Sequence, residues 1–267
     1  MTERASRALV RLLEIMADLR SPGGCPWDAE QTPESLKPYI IEEAYEVLEA
    51  IDTGDPRQIR DELGDLLLQV VFQSRLFEER GEFDMADVAT AIAEKLVRRH
   101  PHVFAGEKRG DQQSLNAQWD RIKAEEKREK GGSPSVLGGV PQHLPALLRA
   151  RKLADKASRV GFDWPEIDGV FAKVHEELAE LEEAMRHCAR EAMADELGDL
   201  LFAIVNIGRF LEIDAEDALR RTIDRFVRRF GHIERELAMR GRSPQEASLE
   251  EMNELWEAAK KQERSLR

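Results

Sequence analysis

The chain has 267 residues, of which 42% are hydrophobic, 6% aromatic and 35% charged, with a formal net charge of −13. This composition supplies enough apolar residues for a core and disfavours a disordered chain. The negative charge argues against a nucleic-acid-binding protein, because the phosphate backbone requires a positive face. The chain contains no run of 18 apolar residues, so the sequence predicts no membrane span. The two cysteines, Cys25 and Cys188, form no CxxC pair, and with the charged first residues they predict a cytoplasmic protein.

Apolar residues recur at helical spacing along most of the chain, whereas the alternation typical of strands is scarce. The pattern therefore predicts an all-α fold. In the first half, helices are predicted over residues 8–20, 35–51, 57–80, 84–99 and 114–130. After a stretch rich in Gly and Pro, helices are predicted over residues 147–160, 168–186, 189–211, 215–240 and 249–265.

The chain contains a long internal repeat. DELGDLLLQV, which begins at Asp61, returns as DELGDLLFAI at Asp195, with an offset of 134 residues. The same offset relates two sets of glutamates, Glu42, Glu43, Glu46 and Glu49 in the first half and Glu176, Glu177, Glu180 and Glu183 in the second. A solenoid repeat has a period of only about 20–50 residues. We therefore predict a tandem duplication, with an N-terminal domain over 1–130, a Gly/Pro-rich linker over 131–145 and a C-terminal domain over 146–267.

Two carboxylates stand in an unusual setting within each copy of the DELGDLL motif. Apolar residues occupy nearly every direction of the helix over 62–72, which predicts that it is buried on all sides. Glu62 and Asp65 share one face of this helix, and Glu196 and Asp199 do the same in the second copy. Carboxylates one turn apart in a low dielectric repel each other. They are therefore expected to be protonated, to pair with a basic side chain or to hold a cation.

An all-oxygen metal site follows if the glutamate helix faces the DELGDLL helix. Glu43 and Glu46 would then meet Glu62 and Asp65, without a nearby His or Cys. Mg²⁺ and Mn²⁺ prefer such a set, and Zn²⁺ does not. A single ExxD is usually a solvated surface pair, and an internal copy does not separate retained function from retained packing. A non-catalytic helical scaffold that binds divalent ions or senses nucleotides therefore stays open as an alternative.

Four longer stretches carry a family resemblance. GCPWDAEQTPESLKPYIIEEAYEVLEAI, DELGDLLLQVVF, KLVRRHPHVF and RVGFDWP resemble the MazG family of nucleoside triphosphate pyrophosphohydrolases over nearly the whole chain. The family signature, EExxE followed by ExxD, occurs twice. The resemblance implies tandem MazG-like domains, each a helical bundle completed by dimerisation. It also implies Mg²⁺-dependent attack of water on the α-phosphate of nucleoside triphosphates, which gives NMP and pyrophosphate and often removes non-standard nucleotides.

The resemblance also implies roles for individual residues. The expected Mg²⁺ ligands are Glu177, Glu180, Glu196 and Asp199, and the same positions in the first copy are Glu43, Glu46, Glu62 and Asp65. Glu176 is the candidate general base, with a ligating glutamate as the alternative. The candidate phosphate- and nucleotide-binding residues are Lys173, Arg225, Arg229 and Trp256, with Lys95, Arg99 and Trp119 in the first copy. Because Tyr39 stands where Lys173 does, the C-terminal domain is predicted to hold the stronger site.

Overall fold

The computed structural model describes residues 2–105, 111, 115, 118–119, 121–122, 125–126 and 135–265. Every regular element within these residues is helical, which confirms the predicted all-α class. Most of the helix predicted over 114–130, and residues 131–134 of the predicted linker, lie outside the described residues. The chain divides into two compact units, residues 1–129 and 130–267. None of the helices in the described part of the chain is long and apolar enough to cross a membrane.

The first unit is built around a long central helix. Its helices are α1 (Thr2–Arg20), α2 (Pro26–Glu30), α3 (Lys37–Thr53), α4 (Pro56–Glu79), α5 (Met85–Arg99) and α6 (Pro101–Phe104). Helices α1, α3 and α5 all pack against α4. The core that joins α1 to α4 is formed by the buried side chains of Met16, Leu36, Val71, Phe72 and Leu76. Burial of these large apolar groups is the main source of stability for the unit.

The second unit repeats the central helix pair. Its helices are α7 (Ala146–Ser158), α8 (Ile167–Arg186), α9 (Arg190–Phe210), α10 (Ala215–Met239) and α11 (Leu249–Ser265). Helix α8 packs along α9, α7 packs on both α9 and α10, and α10 packs on α11. Val170 of α8 and Val205 of α9 are fully buried. Ile233, Leu237 and Leu255 form a second small core between α10 and α11.

A tight turn reverses the chain between α3 and α4. Gly54 has φ of 71°, a left-handed conformation that glycine adopts without strain, and it ends α3. The Asp55 side chain then accepts a hydrogen bond from the backbone N–H of Arg57, and Pro56 is the first residue of α4. The two helices are therefore antiparallel neighbours, which brings the acidic residues of one toward those of the other.

The burial predicted for the DELGDLL helices on every side is wrong for the single chain. Some positions of each helix are buried, including Val71 in α4 and Val205 in α9. Other apolar positions stay exposed, with fractional exposures of 49% for Leu63, 39% for Leu67, 49% for Leu197 and 45% for Leu201. A helix that is apolar all round requires neighbours on both sides. The other helices of one unit leave these four side chains uncovered.

Candidate active site

The second acidic cluster consists of Glu176, Glu177, Glu180, Glu196 and Asp199, where α8 faces α9. Oxygen atoms of Glu177, Glu196 and Asp199 lie within 4.8 Å of one another. Glu176, Glu177 and Glu180 form a second group of the same span, so Glu177 belongs to both. Glu177 is buried, Glu196 is half-buried and Asp199 is exposed. The helix pair therefore brings together the four predicted ligands and the candidate base.

The carboxylates of this cluster repel one another. Burial raises the pKa of Glu196, and the charges of Glu180, Glu177 and Asp199 raise it further. A raised pKa means that ionisation of Glu196 is less favourable here than for a free glutamate. A bound cation would relieve this repulsion, because it stabilises every ionised carboxylate around it.

Lys173 supplies part of the compensating charge. Its Nζ atom lies 2.7 Å from Glu176 Oε1 and 2.6 Å from Glu177 Oε1. The hydrogen bonds to Glu176 and Glu177 raise the pKa of Lys173, which therefore stays charged. The sequence pattern predicted Lys173 only as a phosphate ligand, and this pairing was not predicted. Its spacing of three and four residues from the two glutamates was the signal that would have indicated it.

The first acidic cluster consists of Glu43, Glu46, Glu62 and Asp65, between α3 and α4. Oxygen atoms of Glu43, Glu62 and Asp65 lie within 4.8 Å of one another. Glu46 is outside this group of three. Burial is the largest cause of the raised pKa values of Glu43 and Glu62, and the charge of Glu46 is the second largest. The same kind of mutual repulsion therefore exists in both units.

The group beside the first acidic cluster is the amide of Gln69, whereas the group beside the second is the ammonium of Lys173. Gln69 is only 6% exposed, and its Nε2 atom lies 3.5 Å from Glu43 Oε1. The Oε1 atom of Gln69 is buried without a hydrogen-bond partner. The second unit has Ala203 at this position, at the offset of 134 residues. Tyr39, which replaces Lys173, packs edge-on against Trp27 with ring centroids 6.0 Å apart. The two clusters therefore differ in how their charge is balanced.

Two predicted nucleotide-binding residues of the second unit, Arg229 of α10 and Trp256 of α11, contact each other. Arg229 donates hydrogen bonds of 3.0 and 2.7 Å to Glu263, and its guanidinium lies 5.5 Å from the centre of the Trp256 ring. Phe226 also contacts this ring, at a centroid distance of 5.4 Å. These contacts join α10 to α11 and cover part of Trp256, which is half-buried.

The first unit repeats this arrangement. Arg99 donates a hydrogen bond of 3.2 Å from Nε to Glu126 Oε2, and its guanidinium lies 6.0 Å from the centre of the Trp119 ring. Arg225 and Lys95 stand one turn before Arg229 and Arg99 and are both half-buried. Arg225 donates a hydrogen bond of 2.7 Å to Thr222 Oγ1. Within the described residues no carboxylate pairs with Arg225, which makes it more available for a phosphate than Arg229.

Comparison with known proteins agrees with this geometry. A family model of the MazG nucleotide pyrophosphohydrolase domain matches the chain twice, at residues 31–104 and 167–233. The chain belongs to the MazG family. Each of the two MazG matches contains one acidic cluster in full, and the family depends on divalent metal ions in general. The second match also contains Lys173, Arg225 and Arg229, whereas Trp256 lies beyond it.

Relatives of nearly equal length carry the family name or its activity. A Thermotoga maritima protein named nucleoside triphosphate pyrophosphohydrolase/pyrophosphatase MazG is 48% identical over 93% of this chain and 94% of its own length. An Escherichia coli K12 protein named nucleoside triphosphate pyrophosphohydrolase is 46% identical over 95% of this chain and 97% of its own. The Bacillus subtilis protein YabN, named as uncharacterized, is 46% identical over 94% of this chain but only 51% of its own length.

Proposed function

We propose that this protein hydrolyses nucleoside triphosphates to NMP and pyrophosphate at the second acidic cluster. The observation that carries the proposal is the convergence of Glu177, Glu196 and Asp199 within 4.8 Å, beside Glu180. Two relatives that match nearly the whole chain are named for this activity. The reaction would break the bond between the α-phosphorus and its bridging oxygen, while a water oxygen forms the new bond to the α-phosphorus.

The donor set fits Mg²⁺, with Mn²⁺ as a possible substitute. All the converging atoms are carboxylate oxygens, which hard divalent cations prefer. Burial and three neighbouring carboxylates raise the pKa of Glu196, which supports a cation at this set. When bound, the ion would supply the charge that lets a polyphosphate approach these acids, and it would polarise the phosphate.

Side chains of the protein supply the remaining chemistry. Lys173 and Arg225 provide fixed positive charges for phosphate oxygens, and Arg229 does so where it is released from Glu263. The Glu176 side chain is 56% exposed and lies beside the buried Glu177. A carboxylate at this place can accept the proton of the attacking water. Glu176 is therefore our candidate base, with one of the ligating glutamates as the alternative.

The test is product analysis with matched variants. Purified protein with NTP and Mg²⁺ should release pyrophosphate and NMP in equal amounts, as measured by phosphorus NMR. Glu180→Gln and Asp199→Asn should each reduce kcat by at least about 100-fold, because each removes a ligand charge. Glu182→Gln is the control, because Glu182 lies on the same helix outside the acidic groups. Normal turnover by both ligand variants would show that the site assignment is wrong.

The alternative of a non-catalytic scaffold has a different outcome. A scaffold would gain thermal stability from Mg²⁺ alone, yet it would release no pyrophosphate from any NTP. The full-length double variants Glu46→Gln/Asp65→Asn and Glu180→Gln/Asp199→Asn separate the two acidic clusters. We expect the second pair to abolish turnover and the first pair to retain most of it, because only the second cluster has the lysine.

We also propose that the active form is a homodimer. Large apolar side chains are exposed on α9 and also on α10, where Phe226 is 56% and Val227 is 62% exposed. Clusters of exposed apolar side chains are typical of protein interfaces. Sedimentation analysis should therefore show a dimer, and Val227→Glu should shift it toward monomer. Leu249→Glu is the matched control, because Leu249 is 70% exposed at the start of α11. A monomeric wild-type protein would refute this proposal.

The proposed role is broad removal of non-standard nucleotides in the cytoplasm. The acid-rich site recognises the polyphosphate, which all NTPs share, and this supports broad specificity. A panel of standard and damaged NTPs, each followed by product analysis, measures the preference directly. Cell fractionation with an antibody to the protein tests the location. Activity confined to one base, or recovery in the membrane fraction, would contradict this part of the proposal.

A further inference from the structure

The first acidic cluster has a buried amide at a position where the second unit has alanine. Gln69 of α4 is 6% exposed, and its Nε2 atom lies 3.5 Å from Glu43 Oε1. Gln69 follows Asp65 by four residues and Glu62 by seven, so these three side chains share one face of α4. Ala203 stands at the same position of the second unit. The amide therefore lies at the first cluster and distinguishes it from the second.

The carbonyl oxygen of this amide lacks a donor. Within the part of the chain that the structure describes, nothing forms a hydrogen bond with Gln69 Oε1, which is buried. A buried acceptor without a partner is unfavourable, and such groups are rare in folded proteins. Ionised carboxylates accept hydrogen bonds but donate none, so the neighbouring acids cannot satisfy this oxygen. Its partner must be a donor or a cation that comes from outside the cluster.

The negative charge of the first cluster calls for the same partner. Oxygen atoms of Glu43, Glu62 and Asp65 lie within 4.8 Å of one another. Among the described residues no basic side chain forms an ion pair with these three acids, and Arg60, which is close in sequence, pairs with Asp61. A divalent cation can satisfy the carboxylates and the amide carbonyl together, because each of them contributes an oxygen atom.

We propose that the first acidic cluster binds a divalent cation independently of NTP, with the Gln69 carbonyl as a ligand beside Glu43, Glu62 and Asp65. Rotation about the last side-chain bond of glutamine has a broad energy profile, which allows the carbonyl to turn toward the ion. The ion would join α3 to α4 and stabilise the first unit. This inference requires neither NTP nor turnover, so it stands apart from the proposed function.

The two clusters would then use their ions differently. In the second cluster, Lys173 Nζ lies 2.6 Å from Glu177 Oε1 and competes with an ion for that carboxylate. Tyr39 stands at the corresponding position of the first unit and brings no such charge. We therefore expect the first cluster to bind a cation alone more tightly than the second. The first ion belongs to the folded protein, whereas the second enters with the substrate.

The test measures Mn²⁺ binding by the full-length chain without nucleotide. The parent is Glu180→Gln/Asp199→Asn, which weakens ion binding at the second acidic cluster. Titration calorimetry should show one ion per chain, and addition of Asp65→Asn should abolish its binding. Addition of Gln69→Leu, which removes the carbonyl and keeps a side chain of similar size, should raise Kd for Mn²⁺ at least about tenfold. Gln69→Glu restores an oxygen ligand and should bind Mn²⁺ at least as tightly as the parent.

Gln73→Leu is the matched control, because Gln73 lies one turn farther along α4 and donates a hydrogen bond of 3.2 Å to the backbone oxygen of Pro33. Its Kd for Mn²⁺ should change less than about twofold. The melting temperature gives a second readout, since Mn²⁺ should raise it in the parent but not in Gln69→Leu. Without metal, Gln69→Leu should melt no lower than the parent, because it removes an unpaired buried carbonyl.

Gln69→Ala introduces the side chain of the second unit and should weaken Mn²⁺ binding as Gln69→Leu does, without overfilling the site. A parent that binds no Mn²⁺ below about 1 mM refutes the inference. Equal Kd values for the parent, Gln69→Leu and Gln69→Ala also refute it, because the carbonyl would then not be a ligand. Neither result depends on pyrophosphate release by the wild type, which tests the proposed function separately.

Discussion

Lys173 Nζ lies 2.6 Å from Glu177 Oε1, and Glu177 is the buried carboxylate of the second acidic cluster. The lysine thus contacts a carboxylate that is one of the expected metal ligands. Lysine and metal are therefore expected to compete for Glu177 when no substrate is present. Once a triphosphate is bound, the released ammonium group can turn to a phosphate oxygen.

The first prediction concerns Lys173→Met. Affinity for Mn²⁺ alone should rise by about two- to fivefold, because a partly exposed ion pair no longer competes. KM for NTP should rise by about tenfold, because a charged phosphate contact is lost. Titration calorimetry measures the first quantity and steady-state kinetics the second. Lys152→Met, an exposed lysine of α7, is the control. Changes of the same sign in both affinities would contradict the competition.

The second prediction separates the two arginines of α10. Arg225→Ala should raise KM for NTP by about tenfold and change the free energy of unfolding by less than about 0.5 kcal/mol. Arg229→Ala should lower the free energy of unfolding by about 1–3 kcal/mol, because the bonds to Glu263 and the contact with Trp256 are lost. Kinetics and urea denaturation of both variants provide the comparison. The reverse pattern would show that Arg225 is the structural residue.

The third prediction concerns an ion pair that ties α1 to α4. Arg20, whose side chain is 8% exposed, donates hydrogen bonds of 2.8 and 3.0 Å to Glu79. These bonds lower the pKa of Glu79 from its usual 4.5. The stabilisation is therefore fully present above pH 4.5 and is lost as the pH falls through the lower folded-state pKa. Glu79→Gln should reduce the free energy of unfolding by about 2 kcal/mol at neutral pH and by much less in acid.

Urea denaturation at neutral pH and near pH 3 measures this difference. The matched control is Glu78→Gln, because the neighbouring Glu78 side chain is 50% exposed and pairs with Arg75 at 3.2 Å. Its effect should stay below about 0.5 kcal/mol at both pH values. An equal loss for Glu79→Gln in acid and at neutral pH would show that packing, and not charge, is responsible.

The fourth prediction concerns the close contact between Gly169 and Trp164. A Cβ atom on Gly169 would lie 2.7 Å from Trp164 Cδ1, so Gly169→Ala must move the indole ring. We expect destabilisation of about 1–3 kcal/mol, measured by urea denaturation. Gly231→Ala is the control, since its added methyl group would meet only the end of the Arg235 side chain at 3.4 Å. That variant should gain up to about 1 kcal/mol from helix propensity.

Periodicity and the internal repeat predicted most of this fold. Helix α1 begins six residues before its predicted start, because no Gly, Pro or periodic apolar residue marks its first turns. The other long helices of the described residues were predicted to within a few residues of their observed ends, because apolar spacing and Gly, Pro or Asp at the ends define them. Helices α2 and α6 were missed, since five and four residues are too few to show a period. The full burial of α4 and α9 was predicted wrongly, because an apolar pattern does not reveal how many neighbours a single unit supplies.

The acidic clusters were also predictable, but their partners were less so. Equal spacing in two copies pointed to Glu177, Glu196 and Asp199, which the structure brings together. The pairing of Arg229 with Glu263 joins residues 34 positions apart, and spacing within a single helix carries no information about it. The ligand roles of the acids and the base role of Glu176 stay predictions until the variants are measured.

The difference between Phe72 and Asn206, which share one position of the repeat, has a consequence for how the two halves evolve. After a gene segment duplicates, the same position can be filled differently in each copy. Residue 72 holds a ring in an apolar core, whereas residue 206 holds an amide that accepts a hydrogen bond from Arg209. Selection can thus act on packing in one half and on hydrogen bonding in the other, at the same helix position within a single gene.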